Sequence, residues 1–332
     1  MNNIIIFLAL VLSFGLTYLV RQFALHKNII DTPNERSSHS VPTPRGGGLA
    51  IVIAFYAALL ALYFSGQLHS SVFIGLLGLS SIAVIGFIDD HDHIPARYRL
   101  VVHFAAAAWS CYWLGVIPLS LGDSALLTYL AWGTSLFYLV WLLNLYNFMD
   151  GIDGIATTEA ITVLAGAALL MFLNQRIDGI LVVMLILIAA LLGFLLWNWP
   201  PAKIFMGDVG SAFLGILIAS LSLVTANNGS LDFSIWLILL AVFITDATYT
   251  LLVRLFRGEK VYQAHRSHAY QYLSRQYGHK LVTTGVLLIN AFWLLPLAWL
   301  ANFYSQWLLL CLALAYAPLL ILAMKNHAGM PE

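Results

Sequence analysis

Five carboxylates stand in three short polar breaks of an otherwise mostly apolar chain. Asp89 and Asp90 lie in GFIDDHDH, Asp150 and Asp153 in NFMDGIDG, and Asp208 in FMGDVGS. They are a third of the 15 Asp and Glu residues among 332. Two carboxylates about 5 Å apart repel by roughly 3 kcal/mol at an effective dielectric of about 20. A cluster of five is therefore expected to gather around a neutralising cation. Asn144 and Asn147 precede Asp150 and Asp153 at steps of three residues. Carboxamide and carboxylate oxygens are hard ligands suited to Mg²⁺, with Mn²⁺ as its substitute.

The other polar breaks carry cations and turn-formers. In DTPNERSSHSVPTPRGGG, Arg36, His39 and Arg45 are candidate phosphate contacts, and Gly46, Gly47 and Gly48 let backbone approach a ligand. A solvated, turn-rich loop is the alternative. Asp89 and Asp90 are helix neighbours pointing about 100° apart, so one can face a site while the other faces a basic partner. His91, Asp92 and His93 read as solvated, with a metal-binding pair the rival. Gly151 and Gly154 predict that one helix breaks and the chain re-enters as the next. Asp208 and Ser211 open a span, where backbone N–H groups favour anions, and Lys203 is a natural phosphate partner. The last polar loop interleaves Arg254, Arg257, Arg266 and Arg275 with His265, His268 and His279. That mixture suits a nucleotide or sugar phosphate; an interfacial helix binding anionic lipid is the alternative. Asp246, inside an apolar span, is either functional or paired with a basic neighbour.

What must position these residues is a membrane bundle. The chain is 61% hydrophobic and 9% charged, and a spanning helix needs about 20 apolar residues. Eleven candidate spans, near 4–20, 47–64, 71–88, 100–118, 125–146, 155–173, 179–197, 211–226, 234–253, 281–300 and 305–324, consume most of it. The expected fold is an all-α, polytopic integral membrane helix bundle forming a single domain over 1–332. With the N-terminus outside, the segments 21–46, 89–99, 147–154, 198–210 and 254–280 and the C-terminus fall inside. That arrangement places 14 of the 15 Lys and Arg residues inside, all but Arg176. The first span lacks a basic leader and a small-residue cleavage site, so it reads as retained. Cys111 and Cys311 lie within spans and read as small buried hydrophobes. Zero net charge removes the global field that nucleic acid requires.

In this order, PTPRGGG, IDD, NLYNFMDGIDGIA, PAKIFMGDVGS and a His/Arg loop resemble the polyprenyl-phosphate N-acetylhexosamine-1-phosphate transferases. The resemblance is nearest to the bacterial branch that starts O-antigen and similar surface polysaccharides. The peptidoglycan branch has a lysine where this chain has His93, and a triple histidine where it has HRSH. The resemblance implies transfer of a sugar-1-phosphate from a UDP-sugar to undecaprenyl phosphate in the bacterial inner membrane, on its cytosolic face. It implies that Asp208 and Asn147 hold or adjoin Mg²⁺. Asp89 and Asp90 would serve the metal and lipid-phosphate site, and Asp150 and Asp153 would be catalytic or lie beside the nucleotide. Asn198 and Phe205 would meet the uracil, while His265, Arg266 and His268 would meet the sugar and diphosphate. Arg45 and Lys203 complete the expected substrate contacts.

Such a reaction joins two anions, so it needs positioning and charge neutralisation more than a base. The bilayer is the expected environment, and a homodimer is left open. The rival from another class is a transporter or flippase for a lipid-linked or anionic solute. It accounts for many spans but not for polar motifs gathered on one face. Nothing in the sequence selects among GlcNAc, GalNAc, FucNAc and QuiNAc.

Overall fold

A computed structural model describes residues 2–33, 38–39, 41–92, 94–118, 124–259 and 265–330. It is mostly helical. In chain order the helices are α1 Asn2–His26, α2 Gly48–Phe64, α3 Ser70–Leu77, α4 Ser80–His91, α5 Ala96–Leu114 and α6 Ala125–Met149, then α7 Ile155–Leu173, α8 Gly179–Asn198, α9 Asp208–Asn227, α10 Phe233–Leu239 and α11 Ala241–Phe256. The last are α12 Ala269–Tyr277, α13 His279–Ile289, α14 Leu295–Phe303 and α15 Leu308–Lys325. A two-residue antiparallel pairing, β1 Ile30–Asp31 with β2 Thr43–Pro44, closes the first polar loop.

All eleven apolar segments read from the sequence are helical. Among the described residues, eight helices or continuous helical runs are long and apolar enough to cross a membrane. A ninth segment is α10 with α11, which bend by 76° at their junction. Of the remaining two, α2 has only 17 residues, and α5 carries Arg97, Arg99, His103 and Ser110, which dilute its apolar character. The runs differ sharply in depth. In the most apolar stretch of α9, 94% is buried, against 17% in the final run, 305–325, that contains α15. Helix α9 is thus the axis of the bundle, with α4 and α6 against it and the outermost helices left to face lipid.

Two close approaches bring the polar loops to the start of that axis. A Cβ on Gly86 of α4 would lie 2.7 Å from the Asp208 carbonyl, and one on Gly48 of α2 would lie 2.3 Å from the Cα of Gly210. Only hydrogen fits at either contact. The loops then join by backbone hydrogen bonds. The Phe205 N–H donates to Pro44 O (2.8 Å), that of Gly47 to Phe205 O (2.9 Å) and that of Gly48 to Met206 O (2.8 Å). PTPRGGG is therefore zipped along FMGD. Of the two readings of that loop, a packed wall of the site replaces the solvated turn. Arg36 and His93 lie outside the described residues.

Candidate active site

The pair Asp89–Asp90 ends α4 and splits as the 100° spacing requires. Asp90 is buried and accepts hydrogen bonds from the backbone N–H groups of Asp208 (3.0 Å) and Val209 (3.3 Å) while pairing with Arg45. It caps α9. Asp89 accepts from the Ile94 N–H (2.8 Å) and pairs with Arg99 of α5. Two expectations change here. The N–H groups that open α9 are committed to Asp90, so they do not receive a substrate anion. Asp208 does not cap its own helix; relieved of that task, its side chain faces a cavity.

Asp208 sits between the two arginines, with Oδ1 3.6 Å from Arg45 and Oδ2 3.2 Å from Arg99. Two guanidinium groups thus supply part of the positive charge that the carboxylates require. Burial works against the Arg45 charge, but Asp90, Asp208 and Asp31 outweigh it and raise its pKa. Among the described residues no three Asp, Glu, His or Cys side chains form a ready metal cage.

The α6–α7 turn is different. Helix α6 ends at Met149, Gly154 adopts φ +72°, and α7 starts at Ile155. Asp153 is held by its surroundings: its Oδ2 accepts from the Ala202 N–H (3.0 Å), and its Oδ1 is 3.2 Å from Nδ1 of His279. Nε2 of His279 reaches the Ser38 carbonyl at 2.9 Å. Burial would raise the Asp153 pKa, but His279 and the Ala202 N–H hold it below the usual carboxylate range. Asp150 lacks such support. Among the described residues no donor reaches its carboxylate, and burial, followed by Asp208 and Asp90, pushes its pKa well up. Asn147, one turn earlier, sets its carboxamide beside Asp208.

Two cavities meet at this point. One, of about 420 Å³, is lined by Arg45, Asp150, Asp153, Phe205, Asp208 and His279, among others. The second, of about 630 Å³, is lined by Arg97, Arg99, His103, His265 and His268 together with Ile82, Ile85 and Leu100. They share only Asn147, Gly151, Asp208 and Gln271. In the first, the Phe205 ring stands edge-on to His39 at 4.9 Å. In the second, His265 and His268 stack at 4.8 Å. Burial, followed by His268 and Arg254, pushes His265 down to about 3, so at neutral pH it contributes hydrogen bonding and no charge. His268 is anchored through Nδ1 to Asp246 (3.2 Å), while its Nε2 is buried with no partner among the described residues. Asp246 also accepts from the Ala269 and Tyr270 N–H groups, both at 2.9 Å. It is therefore a helix cap and a histidine orienter. Arg254, the basic residue two turns on, pairs instead with Glu259 at 2.8 Å.

Several residues stand elsewhere than the sequence suggests. Asp89 and Asp90 line neither cavity and act from behind Arg99 and Arg45. Lys203 is exposed over the Trp197 ring, 5.4 Å from its centroid, because its backbone is held by Trp197 and Arg21 on the outer side of the loop. Asn198 reaches the first cavity, yet its Oδ1 accepts from Gly154 N–H (3.1 Å) and Thr157 (3.2 Å) and its Nδ2 donates to Ile204 O (3.0 Å). It ties the two loops together. Arg266 lines neither cavity. Gln271 and His103 were missed. A lone His in an apolar helix and a Gln within a basic loop give no signal until the fold places them.

Residues 71–226 match the family described as Glycosyl transferase family 4. The chain is 31% identical over 268 residues to a probable undecaprenyl-phosphate N-acetylglucosaminyl 1-phosphate transferase of Bacillus subtilis, covering 78% of this chain and 73% of the relative. This chain belongs to glycosyl transferase family 4. A phospho-N-acetylmuramoyl-pentapeptide-transferase of Streptococcus pneumoniae is 30% identical over 241 residues, 67% of this chain and 71% of the relative. A decaprenyl-phosphate N-acetylglucosaminephosphotransferase of Mycobacterium tuberculosis is 31% identical over 247 residues, 66% of this chain and 59% of the relative. The protein is accordingly a membrane polyprenyl-phosphate sugar-1-phosphate transferase, and the carrier reading finds no support.

Proposed function

We propose that the enzyme transfers a HexNAc-1-phosphate from a UDP-sugar to undecaprenyl phosphate, starting O-antigen or a related surface polysaccharide. The observation that carries this is the pair of cavities meeting at Asn147 and Asp208. A two-substrate displacement needs two anions brought together in line. The more polar cavity suits the nucleotide sugar, with Phe205 offering a ring to the base. The second, with its isoleucine and leucine wall, suits the phosphate end of the acceptor. An oxygen of the lipid phosphate attacks the sugar-bearing phosphorus, the bond to the UMP oxygen breaks, and UMP leaves.

The donor set fits Mg²⁺. This ion is usually held by one or two carboxylates together with substrate phosphates; Asp150, which no arginine among the described residues engages, and Asp208, which both cavities share, would hold it beside Asn147. When bound, the ion supplies charge neutralisation and a template for the diphosphate. Arg45 and Arg99 orient Asp208, and Asp153 with His279 holds the nucleotide-side loop. His268, oriented by Asp246, lines the second cavity and fixes the position of its stacked neighbour His265. The lipid phosphate loses its second proton near pH 6, so a dedicated base is not required. The concentration of Lys and Arg at one end supports a site on the cytosolic face of the inner membrane.

The test is a panel of UDP-HexNAc donors with undecaprenyl phosphate and Mg²⁺, read by UMP release and product mass. Lipid diphosphosugar together with UMP is the expected outcome. Inorganic phosphate without nucleotide consumption marks a phosphatase instead, and absence of any product with every donor overturns the proposal.

A further inference from the structure

A third cavity, of about 220 Å³, lies between α11, α12, α13 and α15. Its wall is almost wholly apolar and includes Val242, Leu273, Leu281, Val286, Leu319 and Leu322. Gly285 lines it from the interior of α13. Glycine inside a helix is unfavourable relative to alanine, and at Gly48 and Gly86 close backbone contact explains it. At Gly285 an added Cβ would meet nothing within 4 Å. The missing side chain opens space rather than admitting a neighbouring helix. An apolar space left empty forfeits dispersion contacts on every wall, and in a bilayer the available filler is hydrocarbon.

The charge at its edge specifies the filler further. Helix α13 starts at His279, which bonds Asp153, and Ala323 of α15 packs against Ala269, so both ends lie level with the active site. Lys280 precedes the wall residue Leu281, and Lys325 follows the wall residue Leu322 by three positions; both lysines are exposed. An apolar slot with an exposed lysine within three positions of a wall residue on each of two helices matches an acyl chain with an anionic headgroup.

We propose that this cavity binds an anionic phospholipid of the leaflet bordering the active site, one acyl chain filling the space at Gly285 and its phosphate held by Lys280 and Lys325. The lipid backs α12, whose first turn carries the Asp246–His268 contact and whose Tyr270 hydroxyl donates to Phe148 O at 3.0 Å. It thereby braces one wall of the site without touching either substrate.

The experiment uses the full-length protein in a neutral detergent, titrated with dioleoyl phosphatidylglycerol or dioleoyl phosphatidylcholine. The thermal midpoint and the lipid retained after gel filtration are measured. Phosphatidylglycerol should raise the midpoint at lower concentration than phosphatidylcholine. Each lysine should supply roughly fivefold of that preference, so the Lys280→Glu/Lys325→Glu double variant should lose it. Gly285→Phe should abolish retention of either lipid while keeping or raising the lipid-free midpoint. Equal responses to the two lipids in the wild type would overturn the proposal, as would full phosphatidylglycerol retention in folded Gly285→Phe. A third adverse outcome is that Gly285→Phe raises KM for undecaprenyl phosphate and leaves phosphatidylglycerol retention untouched, which would assign the cavity to the acceptor chain. Should Gly285→Phe not fold, the lysine variant decides alone, since both its sites are exposed. The thermal midpoint and the retained lipid do not depend on which sugar is transferred.

Discussion

The two sides of the site treat the same side chain in opposite ways. On the α4 side, Asp89 and Asp90 are saturated: each has an arginine and at least one backbone N–H. On the α6–α7 side, Asp150 faces its cavity with no donor among the described residues, and burial, followed by like charges near it, raises its pKa. An aspartate whose oxygens are all engaged builds the site. One whose oxygens are left over is free to bind what enters it. Asp208 joins the two sides, touched by both arginines and shared by both cavities.

The largest effect should come from the open side. Asp150→Asn and Asp208→Asn should each cut transfer about a thousandfold, since losing a ligand to the ion forfeits several kcal/mol of charge stabilisation. The thermal midpoint of Asp150→Asn should hold or rise, because an uncompensated acid is removed. Turnover near wild type in either variant would erase the distinction between the sides. Next comes Asp90→Asn. Breaking a buried pair costs about 3 kcal/mol or more, so this variant should lose stability and activity together, and conspicuously more stability than Asp89→Asn. Equal, mild losses for the two, read by thermal unfolding and UMP release, would remove Asp90 from its capping role.

A subtler check uses pH. Asp150 has its pKa raised, so it keeps a proton at a pH where an ordinary aspartate has lost it. Cation binding needs the carboxylate. Mg²⁺ affinity should therefore rise with pH until Asp150 ionises, and binding should release protons. Calorimetry in two buffers of different ionisation enthalpy, repeated along a pH series, reads this directly; heats independent of buffer throughout the series would count against it. The smallest effect belongs to Lys203→Ala. Exposed over Trp197 and outside both cavities, it should change kcat/KM by less than about twofold. A tenfold drop would show that the loop turns inward when substrate binds.

Much of this was legible beforehand. Gly151 and Gly154 announced the α6–α7 break, the apolar runs announced the helices, and the aspartates marked the loops that meet at one end. Cys111 and Cys311 are buried and free, as small hydrophobes inside spans should be. What the sequence leaves open has one cause. The type of Lys203, Asp89 or Asp90 suggests a ligand contact but does not report a partner, and the structure gives them Trp197, Arg99 and Arg45. Gln271 and His103 were invisible for the same reason.

By itself the sequence determined a helical membrane chain, which loops hold the polar chemistry, and which residue types are available to an anionic reaction. Apolar length and glycine breaks act locally, so they can be read along the chain. Only the tertiary structure decided which carboxylates are spent and which are open. That outcome depends on Arg45 reaching Asp90 and on Arg99 reaching Asp208, contacts between segments distant in sequence that Gly48, Gly86 and Gly210 bring together. Charge neutralisation depends on distance in space, and the order of residues along the chain does not encode it.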